Sequence, residues 1–160
     1  MPDADVSPLA QALGRVPTGL YLLTAVGSGR PIGLVASFVM QTGFDPPTVC
    51  VALGKGREQL AAVRAAGGFA LSILDAGSQG VMGAFFKKHP AGESPFDRIA
   101  TRPAPSGAPI LCAALAWLDC ELAGEHPCGD HVVVFGRVTS GEQLHPGDPA
   151  IHLRRSGLEY

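Results

Sequence analysis

The chain has 160 residues, of which 46% are hydrophobic and 16% charged, and its formal net charge is −2. This length predicts one domain over residues 1–160, and the weak negative charge argues against nucleic acid or an anionic membrane as partner. The longest apolar runs, such as residues 32–40, are far shorter than the ~20 residues of a membrane-spanning helix. The N-terminal residues are acidic and lack the charged n-region of a secretory signal, so a cytoplasmic location is expected.

The first half of the chain alternates strand-like apolar runs with short helical patterns. Ser7-Pro8 is a typical helix start, and Gly67-Gly68 a typical helix stop. The patterns predict a helix over 8–14, strands over 19–26, 31–39 and 48–53, a helix in REQLAAVRAAGG, a strand over 69–74 and a helix over 78–86. The strands over 19–26 and 31–39 are joined by the turn GSGRP and are expected to form a hairpin. The second strand loses its alternation in ASFVMQTGFDPP.

The second half begins with a Pro- and Gly-rich stretch, residues 87–109, which is expected to cross the surface as a functional or mobile loop. ALAWLDCEL then alternates as a strand, with Trp117, Asp119 and Glu121 expected on its outer face. The turn AGEHPCGD leads into a strand over 131–138, and residues 150–155 predict a final short strand. Six or seven strands joined mostly by turns favour an antiparallel barrel with added helices over a doubly wound sheet.

The segment HPCGDH, residues 126–131, is the densest cluster of side chains that could do chemistry. Its spacing matches no zinc pattern, so a metal is the weaker interpretation. A plain hairpin turn and a pair of histidines beside a pocket both remain open, and His131 can reach a ligand in the second case. The four cysteines, Cys50, Cys112, Cys120 and Cys128, are too few for a disulfide scaffold, and Cys50 and Cys120 are expected to be packed thiols.

Two groups of cations are candidates for an anion site. Lys55 and Arg57 lie where a strand ends and a helix begins, so backbone N–H groups, the helix dipole and a cation can act together there. Lys87 and Lys88 follow the next predicted helix. Solvated surface charge is the alternative for all four.

Hydrolytic chemistry is not supported by the sequence. No serine lies in a G-x-S-x-G turn, and no paired carboxylates are placed for acid-base work. The absence of a G-x-G-x-x-G after a strand excludes a Rossmann dinucleotide site. Where side chains supply no reaction, a cofactor can.

Seven segments of the chain resemble, in order, the flavin reductase-like FMN-binding split-barrel family. They are RVPTGLYLLTA, GLVASFVMQTGFDPP, GGFALSIL, FFKKHPAGESPFD, GAPILCAALAWLDCEL, CGDHVVVFGRV and AIHLRRSGLEY. The likeness is strongest to the flavin reductase module at the C-terminus of cyanobacterial flavodiiron proteins, here expected as a free-standing domain. The resemblance implies a mainly β, six-stranded antiparallel split barrel with a few short helices, a homodimer, and bound FMN or FAD reduced by NADH or NADPH.

The resemblance also implies site residues. The flavin-lining strand end corresponds to Ala36, Ser37, Phe38, Val39, Met40 and Gln41, and the phosphate loop to Lys55, Gly56 and Arg57. Further contacts correspond to Lys87, Lys88, His152, Arg154 and Tyr160. The histidine of the G-D-H motif, His131, is the expected catalytic residue beside the nicotinamide or flavin.

Two departures from the family pattern weaken the expected flavin contacts. Val35-Ala36-Ser37-Phe38 stands where many members have Thr-Ala-Ser-Ser, and the phosphate loop reads GKGREQ without Ser or Thr. Three functions follow as hypotheses: an NAD(P)H-dependent flavin reductase that passes reduced flavin to an acceptor, an FMN-carrying electron-transfer module reduced by a partner protein, and a flavin-free barrel for a small ligand.

Overall fold

The computed structural model describes residues 5–160, and for residue 79 only the backbone. The chain is mainly β, with nine strands, three short helices and one 3-10 helix among these residues. The helices are α1 (Pro8–Gly14), α2 (Glu58–Ala66) and α3 (Gln79–Phe86), and the 3-10 helix is Pro95–Arg98. The strands are β1 (Tyr21–Gly27), β2 (Arg30–Ala36), β3 (Val39–Phe44), β4 (Pro47–Gly54), β5 (Gly68–Ile73), β6 (Thr101–Pro103), β7 (Pro109–Leu111), β8 (Ala116–Cys128) and β9 (His131–Gln143). None of the helices within 5–160 has the length and apolar character needed to cross a bilayer.

The main sheet is antiparallel and has seven strands in the order β2-β1-β5-β8-β9-β4-β3. Its two edge strands, β2 and β3, are consecutive in the chain and are joined by only Ser37 and Phe38. Since three residue steps span at most about 11 Å, the two edges must lie side by side. The sheet is therefore curled, but no hydrogen-bonded ladder joins β2 to β3. The structure thus has a seven-stranded antiparallel sheet that is not closed, and the six strands of the expected split barrel are not confirmed.

The extra strand is β3, which was expected to be the end of the preceding strand, where the alternation is lost. It pairs only with β4, and its register shifts between Gln41 and Gly43. Four of its six residues are exposed. A strand at a sheet edge with both faces largely in water shows no alternation of apolar and polar residues, so the sequence does not predict it.

The helix predictions are confirmed, and the local causes are visible. The Ser7 hydroxyl accepts a hydrogen bond from Ala10 N at 3.2 Å at the start of α1, and Pro8 occupies the first turn. Gly67 ends α2 in the left-handed region at φ 69°. Leu60 and Val63 anchor α2 in the core beneath β1 and β5.

The prediction that residues 87–109 only cross the surface is wrong in part. They contain the 3-10 helix and β6, which pairs with β7, and Ala104 and Ala108 are buried. This ribbon covers the face of β8 that was expected to be outer. Trp117 and Asp119 are therefore 7% and 2% exposed, and Asp119 accepts hydrogen bonds from the Ser106 backbone and hydroxyl at 2.8 and 2.6 Å.

The hairpin of β8 and β9 is confirmed but is longer than predicted. Each strand has 13 residues, and the turn is only Gly129-Asp130, with Gly129 at φ 62°. The predicted strand over 150–155 is wrong. That segment makes a single bridge, between Thr18 and His152, and then contacts α1 through a hydrogen bond from Arg154 N to Gly14 O.

Candidate functional site

A cleft of about 970 Å³ opens where β2 and β3 meet. It lies between the end of β2, the loop before α2, one side of α3 and the segment after His152. This volume is at the upper end of the range of cofactor and small-molecule sites. Its lining includes Leu34, Val35, Ala36, Ser37, Phe38, Gly54, Arg57, Met82, Phe85, Phe86, His152, Leu153, Arg154, Arg155 and Tyr160.

The apolar wall of the cleft is set by the docking of α3 on β2. The Phe85 ring packs where a side chain at Gly33 would be, since a Cβ there would lie 2.5 Å from Phe85 Cε1. Phe85 also meets Phe96 edge-on, with ring centroids 5.2 Å apart. A glycine at this position in β2 thus lets the helix approach closely enough for Met82 and Phe85 to face the cleft.

The floor of the cleft is the link between the two sheet edges. Ala36 and Ser37 are 5% and 9% exposed. Val39 N donates to Ser37 O and Ala52 N donates to Phe38 O, both at 3.0 Å, which fixes this link against β4. Ser37 also lines the cleft, which places a nearly buried residue with a hydroxyl group beside any ligand bound there.

Cations come to the cleft from two separate parts of the chain. Arg57 is the N-cap residue of α2, where its side chain makes no capping hydrogen bond. Arg154 lies over the Phe38 ring at 4.5 Å from guanidinium carbon to centroid, a cation-π contact. His152 lines the cleft and is held by its backbone bridge to Thr18. The cleft therefore combines an apolar wall with a rim in which three arginines, Arg57, Arg154 and Arg155, outnumber the acidic residues Asp5 and Glu159.

His131 lies behind this rim in a cluster of aromatic and charged groups. Its Nδ1 is 2.6 Å from Asp130 Oδ1, and its Nε2 is 2.8 Å from the Tyr160 hydroxyl. Its ring meets Phe38 edge-on at 5.5 Å. The hydrogen bond from His131 lowers the pKa of Asp130, and burial raises the pKa of Tyr160. Asp130 is thus a carboxylate acceptor and Tyr160 a protonated donor near neutral pH.

The residues expected at the site divide into two groups by position. Ala36, Ser37, Phe38, Arg57, His152, Arg154 and Tyr160 line the cleft. Val39 packs on the core, and Met40 and Gln41 are exposed on β3. The others that do not line it are Gly56, Lys55, Lys87, Lys88 and His131.

The second group still has defined surroundings. Lys55 and Gly56 line a separate depression of about 330 Å³, together with Arg64 and Glu125. Lys55 N donates to Asp130 O at 2.9 Å, so the loop before α2 is tied to the turn that carries His131. Lys87 and Lys88 are exposed just beyond α3. The flavin contacts expected of Lys55, Gly56, Lys87 and Lys88 remain predictions.

Several cleft residues were not anticipated from the sequence. Met82, Phe85 and Phe86 belong to α3, whose apolar residues do not fall on one face, and Phe86 is 72% exposed. An exposed phenylalanine on an apolar helix indicates a binding site, but its exposure is visible only in the folded structure. Asp130 belongs to the G-D-H motif, but its contact with His131 could not be predicted without the geometry of the turn.

Metal binding finds no geometric support in the described part of the chain, where no three His, Cys, Asp or Glu side chains form a candidate ligand set. The thiols are unpaired, with Cys112 and Cys128 exposed and Cys120 buried. Burial raises the pKa of Cys120 to about 12. Cys50 is only partly buried, so its packing is looser than expected.

The fold and the cleft can now be compared with known proteins. The family model described as flavin reductase like domain matches residues 13–157. Diflavin flavoprotein A 1 from Synechocystis sp. (strain ATCC 27184 / PCC 6803 / Kazusa) is 38% identical over 156 residues, which cover 96% of this chain and 27% of that protein. The chain thus spans about a quarter of the length of this relative.

Solved structures of similar size share the architecture. Nitrilotriacetate monooxygenase component B from Mycobacterium thermoresistibile has a TM-score of 0.82 at 31% identity, covering 89% of this chain and 79% of that one. The NADH:FAD oxidoreductase SgcE6 of Streptomyces globisporus has a TM-score of 0.82 at 28% identity, covering 92% and 86%. The match over nearly the whole chain, in sequence and in structure, shows that this protein belongs to the flavin reductase-like domain family.

Proposed function

We propose that the chain is an NAD(P)H-dependent flavin reductase that binds FMN, or FAD, in the cleft at the junction of β2 and β3. The observation that carries the proposal is the nearly buried Ser37 at the floor of a cleft that has an apolar wall and an arginine-rich rim. An isoalloxazine ring has flat apolar faces and a polar edge, and its phosphate tail is anionic. The residues present therefore fit a flavin.

Each part of the cleft has a stated role in this proposal. Ala36 and Ser37 let the backbone approach the ring, and the Ser37 hydroxyl hydrogen bonds its polar edge. Arg57, together with the N–H groups that begin α2, binds the phosphate. Met82 and Phe85 exclude water from the ring. When bound, the flavin supplies a two-electron acceptor for the hydride of NADH or NADPH.

His131 is the proposed residue beside the reacting rings. In the tautomer that donates from Nδ1 to Asp130, Nε2 is an acceptor. Such an acceptor orients a carboxamide N–H of the nicotinamide. Hydride transfer needs no base, so this role is one of positioning. In the structure, Nε2 forms a hydrogen bond with the Tyr160 hydroxyl.

The proposal is tested by binding and reduction measured separately. Titration with FMN and FAD is followed by flavin fluorescence, and the bound complex is then mixed with NADH or NADPH without oxygen. Bleaching of the visible flavin absorption band at a rate faster than that of free flavin supports the reductase. Binding without bleaching would exclude it, and so would a protein that binds no flavin.

A second function is favoured by one specific observation. The chain corresponds to 27% of a relative whose name states that it is a diflavin protein. A domain of this kind can carry a flavin that is reduced by another protein or by another part of a longer chain. Tight FMN binding without NAD(P)H oxidation would assign the electron-transfer function instead.

We also propose that the protein forms a homodimer and passes reduced flavin to a partner. Met40 and Phe44 are 62% and 91% exposed on the edge strand β3, which offers apolar surface and unpaired backbone groups. A similar structure is component B of a monooxygenase, which implies a second component for that protein. Light scattering of the purified protein tests the dimer, and a monomer at micromolar concentration would refute it.

A further inference from the structure

Tyr160 lies between His131 and the cleft. Its side chain lines the cleft, whereas that of His131 does not. The two ring centroids are 6.1 Å apart, and the Tyr160 hydroxyl lies 2.8 Å from His131 Nε2. Tyr160 also contacts Phe38, with centroids 5.9 Å apart at an interplanar angle of 43°. A ligand in the cleft therefore meets Tyr160 before it can meet His131.

The hydrogen-bond polarity of this contact depends on the His131 tautomer. In the tautomer that donates from Nδ1 to Asp130, Nε2 is an acceptor. The Tyr160 hydroxyl is then the donor. Arg57 and Arg154 are the cations that act on Tyr160, and Asp130 is the anion. The acceptor that a nicotinamide carboxamide would use is thus already taken by Tyr160.

The segment that carries Tyr160 is fixed at one point and lightly held beyond it. Gly157 N donates to Ala10 O at 2.8 Å, and a Cβ at Gly157 would lie 2.1 Å from Leu13 Cβ. After this anchor, Leu158 and Tyr160 are 64% and 78% exposed. The described contacts that hold residues 158–160 are the bond from Leu158 N to Ser156 Oγ and those of the Tyr160 side chain. Displacing Tyr160 disturbs little else.

We propose that Tyr160 is a displaceable positioning residue that occupies, on Phe38 and His131, the place an incoming nicotinamide ring takes. The phenol ring is a planar six-membered ring that donates one hydrogen bond to Nε2, as a carboxamide N–H does. Tyr160 competes with the dinucleotide for this place, so a ring without a matching donor is disfavoured there. The inference depends on the proposed function, because it assumes that NAD(P)H binds at the cleft.

Fluorine NMR can observe this displacement directly. The chain has two tyrosines, Tyr21 and Tyr160, so uniform 3-fluorotyrosine labelling gives two resonances, and Tyr160→Phe assigns them. Tyr21 lies in β1, outside the cleft lining, and serves as the internal control. With FMN bound, addition of the unreactive NAD⁺ or NADP⁺ is expected to shift the Tyr160 signal because its contacts with Phe38 and His131 are lost, with the Tyr21 signal unchanged.

Kinetics of Tyr160→Phe provide the second readout. The variant keeps the ring and loses the hydrogen bond, whose usual net value corresponds to about a fivefold change in an equilibrium. The KM for NAD(P)H is therefore expected to fall about fivefold, with kcat changed less than twofold. Leu158→Ala, in the same exposed segment and outside the cleft lining, is the matched control and leaves both constants unchanged.

The outcomes separate this inference from the proposed function. If the protein binds neither flavin nor dinucleotide, the proposed function fails and the inference fails with it. If the dinucleotide binds and the Tyr160 resonance stays in place, only the inference is overturned. A KM that is unchanged or higher in Tyr160→Phe also overturns it, since a residue that helps to hold the dinucleotide would weaken binding when altered.

Discussion

Arg57→Ala tests whether the N-terminus of α2 binds the flavin phosphate. Arg57 lines the cleft, is exposed, and takes part in no ion pair within residues 5–160. A guanidinium–phosphate hydrogen bond contributes about 1.5–3 kcal/mol, so the Kd for FMN should rise by about 10- to 150-fold. Riboflavin has the same ring and no phosphate, so its Kd should change by less than about twofold.

The same substitution has an opposite effect on the unliganded protein. A cation at a helix N-terminus opposes the helix dipole by about 0.3–1 kcal/mol. Removing Arg57 should therefore leave the melting temperature unchanged or raise it by about 1–4 °C for a domain of this size. General damage to the fold would lower it instead.

Fluorescence titration with FMN and riboflavin, with thermal unfolding of the apoprotein, measures both effects. Arg64→Ala is the matched control, because it removes the same charge from the same helix, where Arg64 pairs with Glu125 at 2.7 Å outside the cleft. Equal weakening of FMN and riboflavin, or an unchanged Kd for FMN, would refute the phosphate role. Restoration of most of the affinity by Arg57→Lys would assign it to charge rather than to the planar guanidinium.

Three further predictions concern the scaffold that holds the cleft. Asp119→Ala removes the acceptor of two hydrogen bonds from Ser106 and should lower the free energy of unfolding by about 3–4 kcal/mol, and the melting temperature by about 6–16 °C. Glu121→Ala, in the exposed pair with Arg137, should lower the free energy of unfolding by less than about 1 kcal/mol. Equal losses of stability in the two variants would contradict the burial argument. Gly136→Ala places a Cβ 2.6 Å from the Phe69 ring and should destabilise by about 1–3 kcal/mol, while Gly124→Ala, with nothing within 4 Å, should not, as chemical denaturation will show. In native protein a thiol reagent at pH 8 should modify exposed Cys112 and Cys128 but leave Cys120 unmodified, because burial raises the pKa of Cys120 from 9.0 to about 12. The thiol of the unfolded chain ionises at lower pH than the folded one, so the stability should fall as the pH rises above 9. Mass spectrometry that finds Cys120 labelled in folded protein would contradict this burial.

Local sequence signals were sufficient for the elements that carry their own pattern. Ser7-Pro8 and Gly67 fixed the ends of α1 and α2 because caps are decided within one helical turn. The buried strands β1, β4 and β5 were found because each is a short run of mostly apolar residues, which is typical of a strand buried within a sheet. The segments that resemble a flavin reductase-like domain likewise indicated the family, which the comparisons confirm.

Elements whose environment is set by distant segments were mistaken. β3 is exposed at an edge and has no period to detect, and the outer face assigned to Asp119 is covered by a ribbon from residues 101–111. Sequence alternation shows that a strand has two faces, but it does not show what packs on the second one.

The site divides in the same way. The sequence by itself determined the residue types, namely small residues at 36–37, a cation before a helix and a histidine after a tight turn. Only the tertiary structure decided that Ser37, Arg57 and Arg154 meet at one cleft, and that Tyr160 lies between this cleft and His131. These residues are up to 123 positions apart in the sequence, from 37 to 160, and their meeting depends on the curl of the sheet that brings β2 and β3 together. That curl comes from long-range strand pairing, which no local pattern encodes.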